Sequence, residues 1–232
     1  MSQHLHADLA RLEQQLLYLA ARVEEAVRKA IVSLVERRQD PALDVIEGDQ
    51  HIDRREVELE EECLKILALH RPVANDLRFV TAVLKIDNDL ERIGDLAVNI
   101  AKRAAYITTL VPTPVPAKMR EMMEESMRIL RDAVDAFVRG DAQAARRVCR
   151  EDERVDRFHK EIVKDLQAQM ESDRSFVSYG LLMYSVSKSL ERIADHATNI
   201  AEDVVYMVEG EIIRHSFRGI PDSRPSATGR SI

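Results

Sequence analysis

The chain reads as an all-α protein made by internal duplication, two antiparallel three-helix bundles in tandem. Three observations predict this. Apolar residues recur at helical spacing along almost the whole of the 232 residues. Aromatic residues make up only 4% and Trp is absent, so the core must be Leu, Ile, Val, Ala and Met, a composition that leans to helix. Two segments one hundred residues apart are nearly the same: residues 90–101 read LERIGDLAVNIA and residues 190–201 read LERIADHATNIA.

Taken in order, Leu5, Leu9, Leu12, Leu16, Leu19, Val23 and Ala26 step by four and three, and Ala30 and Leu34 extend the stripe. This predicts one helix from about residue 4 to 38. Asp40 then reads as an N-cap with Pro41 at the first helical position. The second helix runs to about Leu69, with Gly48 as a weak point, and Arg71-Pro72 breaks it. The third starts near Val73 and buries Phe79, Val83, Leu90, Ile93, Ala97, Ile100, Ala104 and Ile107. Three prolines between Pro112 and Pro116 make a semi-rigid linker.

The second half repeats the plan. A helix over about 117–138 ends at Gly140, suited to a left-handed cap, and Asp141 caps the next helix, which runs to about Glu171. Residues 172–175 break the chain, a last long helix spans about 176–208, and residues 209–215 extend it by a turn or two. The expected units are therefore a first bundle over 4–110, a second over 117–215, and a disordered tail over 216–232, rich in Gly, Pro, Ser and Arg.

Nine of the twelve repeated positions are identical, and they include a Glu, an Asp and an Asn four apart. Packing preserves apolar positions; it gives no reason to keep a polar stripe twice. Asp87, Glu91, Asp95 and Asn99 share one stripe of the third helix, at the edge of its buried face. Glu191, Asp195, Asn199 and Asp203 repeat it on the sixth, with Ser187 where the first half has Asp87. The second helix of each half adds another acidic pair, Asp49 with Asp53 and Asp152 with Asp156, followed by Glu56 and His159 respectively. Like charges at i,i+4 destabilise a helix by about 0.2–0.5 kcal/mol. A hard or borderline cation such as Mg, Ca, Mn or Fe would offset that repulsion. The plainer reading is a solvated face, with Arg92 and Arg192 absorbing charge within their helices.

A net charge of −7 argues against a general nucleic-acid binder. Cys63 and Cys149 lack Cys-x-x-Cys spacing and read as buried small hydrophobes in a reducing compartment. No signal peptide and no apolar run long enough to span a bilayer is evident, so the expected location is cytoplasmic. A di-iron enzyme of the helical-bundle type needs Glu-x-x-His on two helices, and none occurs; Asp156-Arg-Phe-His159 comes nearest. No phosphate loop or nucleophile–base motif is present either, so the chain is expected not to be an enzyme. A carboxylate-bridged metal enzyme is the alternative.

The duplicated Leu-Glu-Arg-Ile-(Gly/Ala)-Asp stripe resembles the PhoU family of regulators of bacterial phosphate uptake. So do residues 71–78, RPVANDLR, and residues 206–215, YMVEGEIIRH. The resemblance covers about residues 5–215. It implies two three-helix bundles carrying metal clusters, often iron, with manganese, magnesium or zinc as alternatives. By position, the first cluster would use Asp49, Asp53, Glu91 and Asp95, and the second Asp152, Asp156, Glu191 and Asp195. Asn99 and Asn199 would be additional contacts. It further implies a homodimeric, cytoplasmic negative regulator. Such a protein links the ATPase subunit of the phosphate ABC transporter to a phosphate-sensing membrane histidine kinase.

Overall fold

The computed structural model describes residues 3–213, and among these there are six long α-helices, one short 3₁₀ turn and no strand. The helices are α1 (Gln3–Glu36), α2 (Gln39–His70), α3 (Ala74–Ile107), α4 (Ala117–Arg139), α5 (Ala142–Ser172) and α6 (Val177–Glu209). Within each half the three helices pack on one another, and short connections make neighbours antiparallel. The predicted tail over 216–232 lies outside the described residues. No described helix is long and apolar enough to cross a membrane.

The apolar stripes close the core as the spacing requires. Leu12, Leu16, Leu19, Val23, Ala30 and Leu34 of α1 are buried against Leu90, Ile93, Ala97, Ile100 and Ala104 of α3 and Leu59, Cys63 and Ile66 of α2. Ile52 shows how closely α2 and α3 approach. A Cβ added at Gly94 would lie 3.3 Å from the Ile52 side chain, so alanine here would make Ile52 give way by a few tenths of an ångström. In the second half the equivalent positions hold Val155 and Ala194. The methyl group lost on one helix is gained on the other.

The caps hold in part. Gly140 takes φ 59 after α4, and the Asp141 carboxylate accepts from the Ala144 N–H at 2.9 Å. The expected Asp40 cap is corrected. Helix α2 begins at Gln39 with Arg38 as N-cap, no side chain caps it, and Asp40 lies in the first turn. Pro41 remains compatible, since first-turn N–H groups need no intrahelical partner. The reversal is made one step earlier. Arg37 adopts φ 53, and the Ser33 hydroxyl donates to the Arg38 carbonyl at 2.6 Å. Gly48 does not interrupt α2. Asp173 caps a 3₁₀ turn over Arg174–Phe176, so α6 starts at Val177. It stops at Glu209, because Gly210 takes φ 75; residues 211–213 add no helix.

The two bundles are joined mainly by α3 packing along α6. Contacts run in opposite senses on the two helices: Arg78 reaches Met207, Lys85 reaches Asp203, and Asp89 reaches Asn199 and His196. The helices are thus antiparallel across the seam, and the halves face each other through equivalent elements. The proline linker is not a free hinge. The Arg37 guanidinium donates to the carbonyls of Ile107 and Leu110 at 2.6 and 2.8 Å, and the Tyr179 hydroxyl donates to the Pro114 carbonyl at 3.0 Å.

Candidate functional site

Helices α2 and α3 present their acidic stripes side by side, because the Gly94–Ile52 approach brings their backbones close beneath them. Asp49 and Glu91 are half-buried, while Asp53 and Asp95 are exposed. Their charges act on one another across the two helices. Burial first, then Asp53 and Asp95, raises the Asp49 carboxyl above its ordinary value, and Lys102 opposes this only in part. Glu91 is raised by burial and by Asp95, Glu56 and Asp53, and Arg92 relieves it only in part. Arg92 and Arg192 are both exposed, so the expected intrahelical relief is solvent-screened.

Asp87 is the deepest member. It is 1% exposed, and its Oδ1 has no hydrogen-bond partner among the described residues. Burial, reinforced by Glu56, Glu60 and Glu91, pushes its carboxyl up to about 8. Glu56 is raised in turn by burial, Glu60 and Asp53. Asp49, Asp53, Glu56 and Glu60 thus form one acidic stripe of α2, facing Asp87, Glu91 and Asp95 of α3. The sequence reading stopped that stripe at Glu56; extending the same spacing would have included Glu60.

The second half is built differently. Asp152, Asp156, Glu191 and Asp195 are all half-buried. Glu191 is paired with Lys188 one turn earlier. His159 replaces an acid, and its Nδ1 meets the Ser187 hydroxyl at 3.1 Å, where the first half has Glu56 and Asp87. Burial lowers the His159 imidazole below its ordinary value, against the pull of Glu191 and Asp156. Lys188 supplies a positive charge to this stripe, and His159 and Ser187 stand where the first half has the acids Glu56 and Asp87, so the second stripe holds fewer carboxylates than the first.

The two asparagines also part company. Asn99 is exposed. Asn199 turns into the α3–α6 seam and donates to Asp89 at 3.1 Å, beside His196, whose Nδ1 lies 2.7 Å from the same carboxylate oxygen. Lys85 donates to the buried Asp203 at 3.0 Å and lies over the Tyr206 ring. Asp89 and Lys85 were missed in the sequence. The signal was the breaking of the repeat, since both correspond to serines, Ser189 and Ser185. Arg78 is spent internally on the Met207 carbonyl and Asn75. Cys63 and Cys149 are free and buried, and burial pushes both thiols up to about 12.

The all-oxygen donor set of the acidic stripes, with an unbonded oxygen on Asp87, fits a hard cation in chemistry. Among the described residues, however, no three His, Cys, Asp or Glu side chains converge into a set that could hold a metal ion.

A family model described as the PhoU domain matches residues 16–104 and again residues 119–204. The chain is 38% identical over 216 residues to a phosphate-specific transport system accessory protein PhoU homolog of Pseudomonas putida, covering 93% of this chain and 84% of that one. It is 34% identical to the phosphate-specific transport system accessory protein PhoU of Serratia marcescens, with 93% and 88% covered. The crystal structure of PhoU from Pseudomonas aeruginosa superimposes with a TM-score of 0.86 at 36% identity, over 89% of this chain and 99% of that one. That of the phosphate transport system regulatory protein PhoU from Streptococcus pneumoniae gives 0.83 at 30% identity, over 90% and 98%.

Proposed function

The chain belongs to the PhoU family, and from that premise we propose that it is a non-enzymatic regulatory accessory protein of a phosphate transport system. The observation that carries this reading is likeness over 93% of the chain to relatives named as phosphate-specific transport system accessory proteins. The proposed action is negative regulation at the cytoplasmic face. A homodimer of the chain holds the phosphate ABC transporter, through its ATPase subunit, and a phosphate-sensing histidine kinase in their phosphate-replete states. The two units over 4–110 and 117–215 act as one adaptor, because the α3–α6 seam ties them together.

The carboxylate stripes are proposed as cation sites. Asp49, Asp53, Glu91 and Asp95 would hold the first, with Asn99 as a further contact, and Asp152, Asp156, Glu191 and Asp195 the second. Asn199 already donates its amide N–H to Asp89, so its carbonyl oxygen is the atom left to coordinate. Bound cation, iron or another hard ion, supplies positive charge that offsets the stacked carboxylates. What the protein contributes is their placement on neighbouring helices, and changes of side-chain rotamer would have to bring them together. The first stripe, with Glu56 and Asp87 where the second has His159 and Ser187, holds more carboxylates and gains more from a cation than the second.

Restoration of regulation tests the reading. In a bacterium deleted for its own family member, the chain should lower phosphate uptake and silence a starvation-response reporter in phosphate-rich medium. Alanine at Glu91 and Asp95 should weaken that effect while the protein still folds. A folded, expressed chain that leaves both readouts at the deletion level would overturn the proposal. Metal-dependent turnover of a substrate, lost in the same variant, would favour the enzyme alternative.

A further inference from the structure

Helices α1 and α4 come from different bundles and touch only lightly. Between them runs a groove of about 500 Å3. Its floor is apolar, made by Ile31, Val32 and Val35 of α1 and by Met123 and Met127 of α4. These residues are half-buried or buried, so the floor is recessed below the surface. Its rim is basic, with Arg28, Arg120, Arg128 and Arg131 against the single acid Glu124. That is an unusual patch in a chain of net charge −7. Arg28 is paired with Glu25, and Arg128 with Glu125, Asp132 and Glu151. Arg120 and Arg131 are exposed and join no ion pair among the described residues. Glu24 lies near Arg131, and burial raises its carboxyl above the ordinary value against the pull of that arginine.

We propose that this α1–α4 groove docks an acidic amphipathic helix of a partner protein, its apolar face on Ile31, Met123 and Met127 and its carboxylates on Arg120 and Arg131. Two long helices lying side by side form a trough that a third helix completes by side-chain interdigitation. Ile31 with Val35, and Met123 with Met127, each stand four apart, and so offer the spacing an i, i+3, i+4, i+7 stripe needs. Methionine at two floor positions lets the surface adapt to branched or aromatic anchors. A recessed floor receives inserted side chains, whereas a flat bilayer surface would not reach it. The chain's own residues 214–232 carry four arginines against one aspartate, the wrong charge for this rim.

The test uses the full chain and a stapled helical peptide with leucines at helical spacing and glutamates elsewhere, read by fluorescence anisotropy. A peptide with lysine in place of every glutamate is the control. The wild type should bind the glutamate peptide about tenfold tighter or more than the lysine peptide, with the preference fading as salt is added. Arg120→Glu with Arg131→Glu should invert the preference, and Met127→Glu should abolish binding of both. Arg55→Glu, on the exposed face of α2, should change neither. All substituted residues are exposed or half-buried, and matching circular dichroism melts establish that the variants fold. Three results would overturn the proposal. One is binding of both peptides alike, or of neither. Another is capture of phosphatidylglycerol vesicles through the same arginines in place of peptide. The third is sedimentation showing that groove variants separate a dimer, which would assign the groove to a second copy of this chain.

Discussion

Replacing Asp87 by Asn should stabilise the cation-free protein, and more so as pH rises. Asp87 is 1% exposed, one of its oxygens has no hydrogen-bond partner among the described residues, and three glutamates face it. Its folded value of about 8 stands above the ordinary 3.8. A carboxyl raised on folding binds more protons in the native state than in the unfolded state throughout that interval. Stability contributed by its neutral form is therefore complete below pH 3.8 and is lost as pH climbs through 8. At about 1.4 kcal/mol per tenfold, an interval of roughly four pH units caps the loss at about 5–6 kcal/mol. Water penetration and rearrangement relieve buried charge, so the realised difference should be nearer 2–3 kcal/mol. Asn keeps the shape and removes the charge. Urea denaturation in chelator at intervals from pH 5 to 9 should show wild-type stability falling faster than that of Asp87→Asn. The two curves should diverge toward high pH. Parallel curves, or a variant less stable at every pH, would refute the account of the stripe as stored repulsion.

Three further outcomes follow from the packing. Lys85→Met should cost about 2 kcal/mol or more, because it takes the lysine from one side of a buried ion pair with Asp203, 3% exposed, and adding Asp203→Leu should recover much of the loss; thermal melts of the pair measure this. Gly94→Ala gains about 1 kcal/mol of helix propensity but forces Ile52 aside, whereas Gly94→Ala with Ile52→Val copies the Ala194 and Val155 pairing and should be the more stable combination. A double-mutant cycle with zero coupling would contradict the close approach of α2 and α3. Cys63 and Cys149, with thiols pushed up to about 12, should react with a thiol reagent at pH 8 only as fast as the protein unfolds.

Most of the fold was legible because helical periodicity is redundant. Leu12, Leu16, Leu19, Val23 and Leu34 each report the same face, and an error at one position changes nothing. Ends of helices were less secure, since they depend on single residues. Asp141 capped α5 as its type and place indicated, but Asp40 did not cap α2, because Arg37 reversed the chain first and its guanidinium secured the α3 terminus. The acidic stripes were legible through the duplication itself. The α3–α6 seam was not, because periodicity marks a face as buried without naming what covers it. Asp89, His196, Asn199, Lys85 and Asp203 are polar residues that only their cross-bundle partners explain. The asymmetry between the halves was visible at Ser187 and His159, but their contact with each other required the structure.

The central claim is that the paired carboxylates of α2 and α3, and their counterparts on α5 and α6, are cation sites on a regulatory surface. Elemental analysis of protein purified without chelator tests it most directly, beside a variant with alanine at Glu91, Asp95, Glu191 and Asp195. The account predicts iron, manganese or another hard cation bound to the wild type and lost from the folded variant. Equal, negligible metal in both proteins at equal stability would contradict it and leave the stripes as a solvated or partner-facing surface.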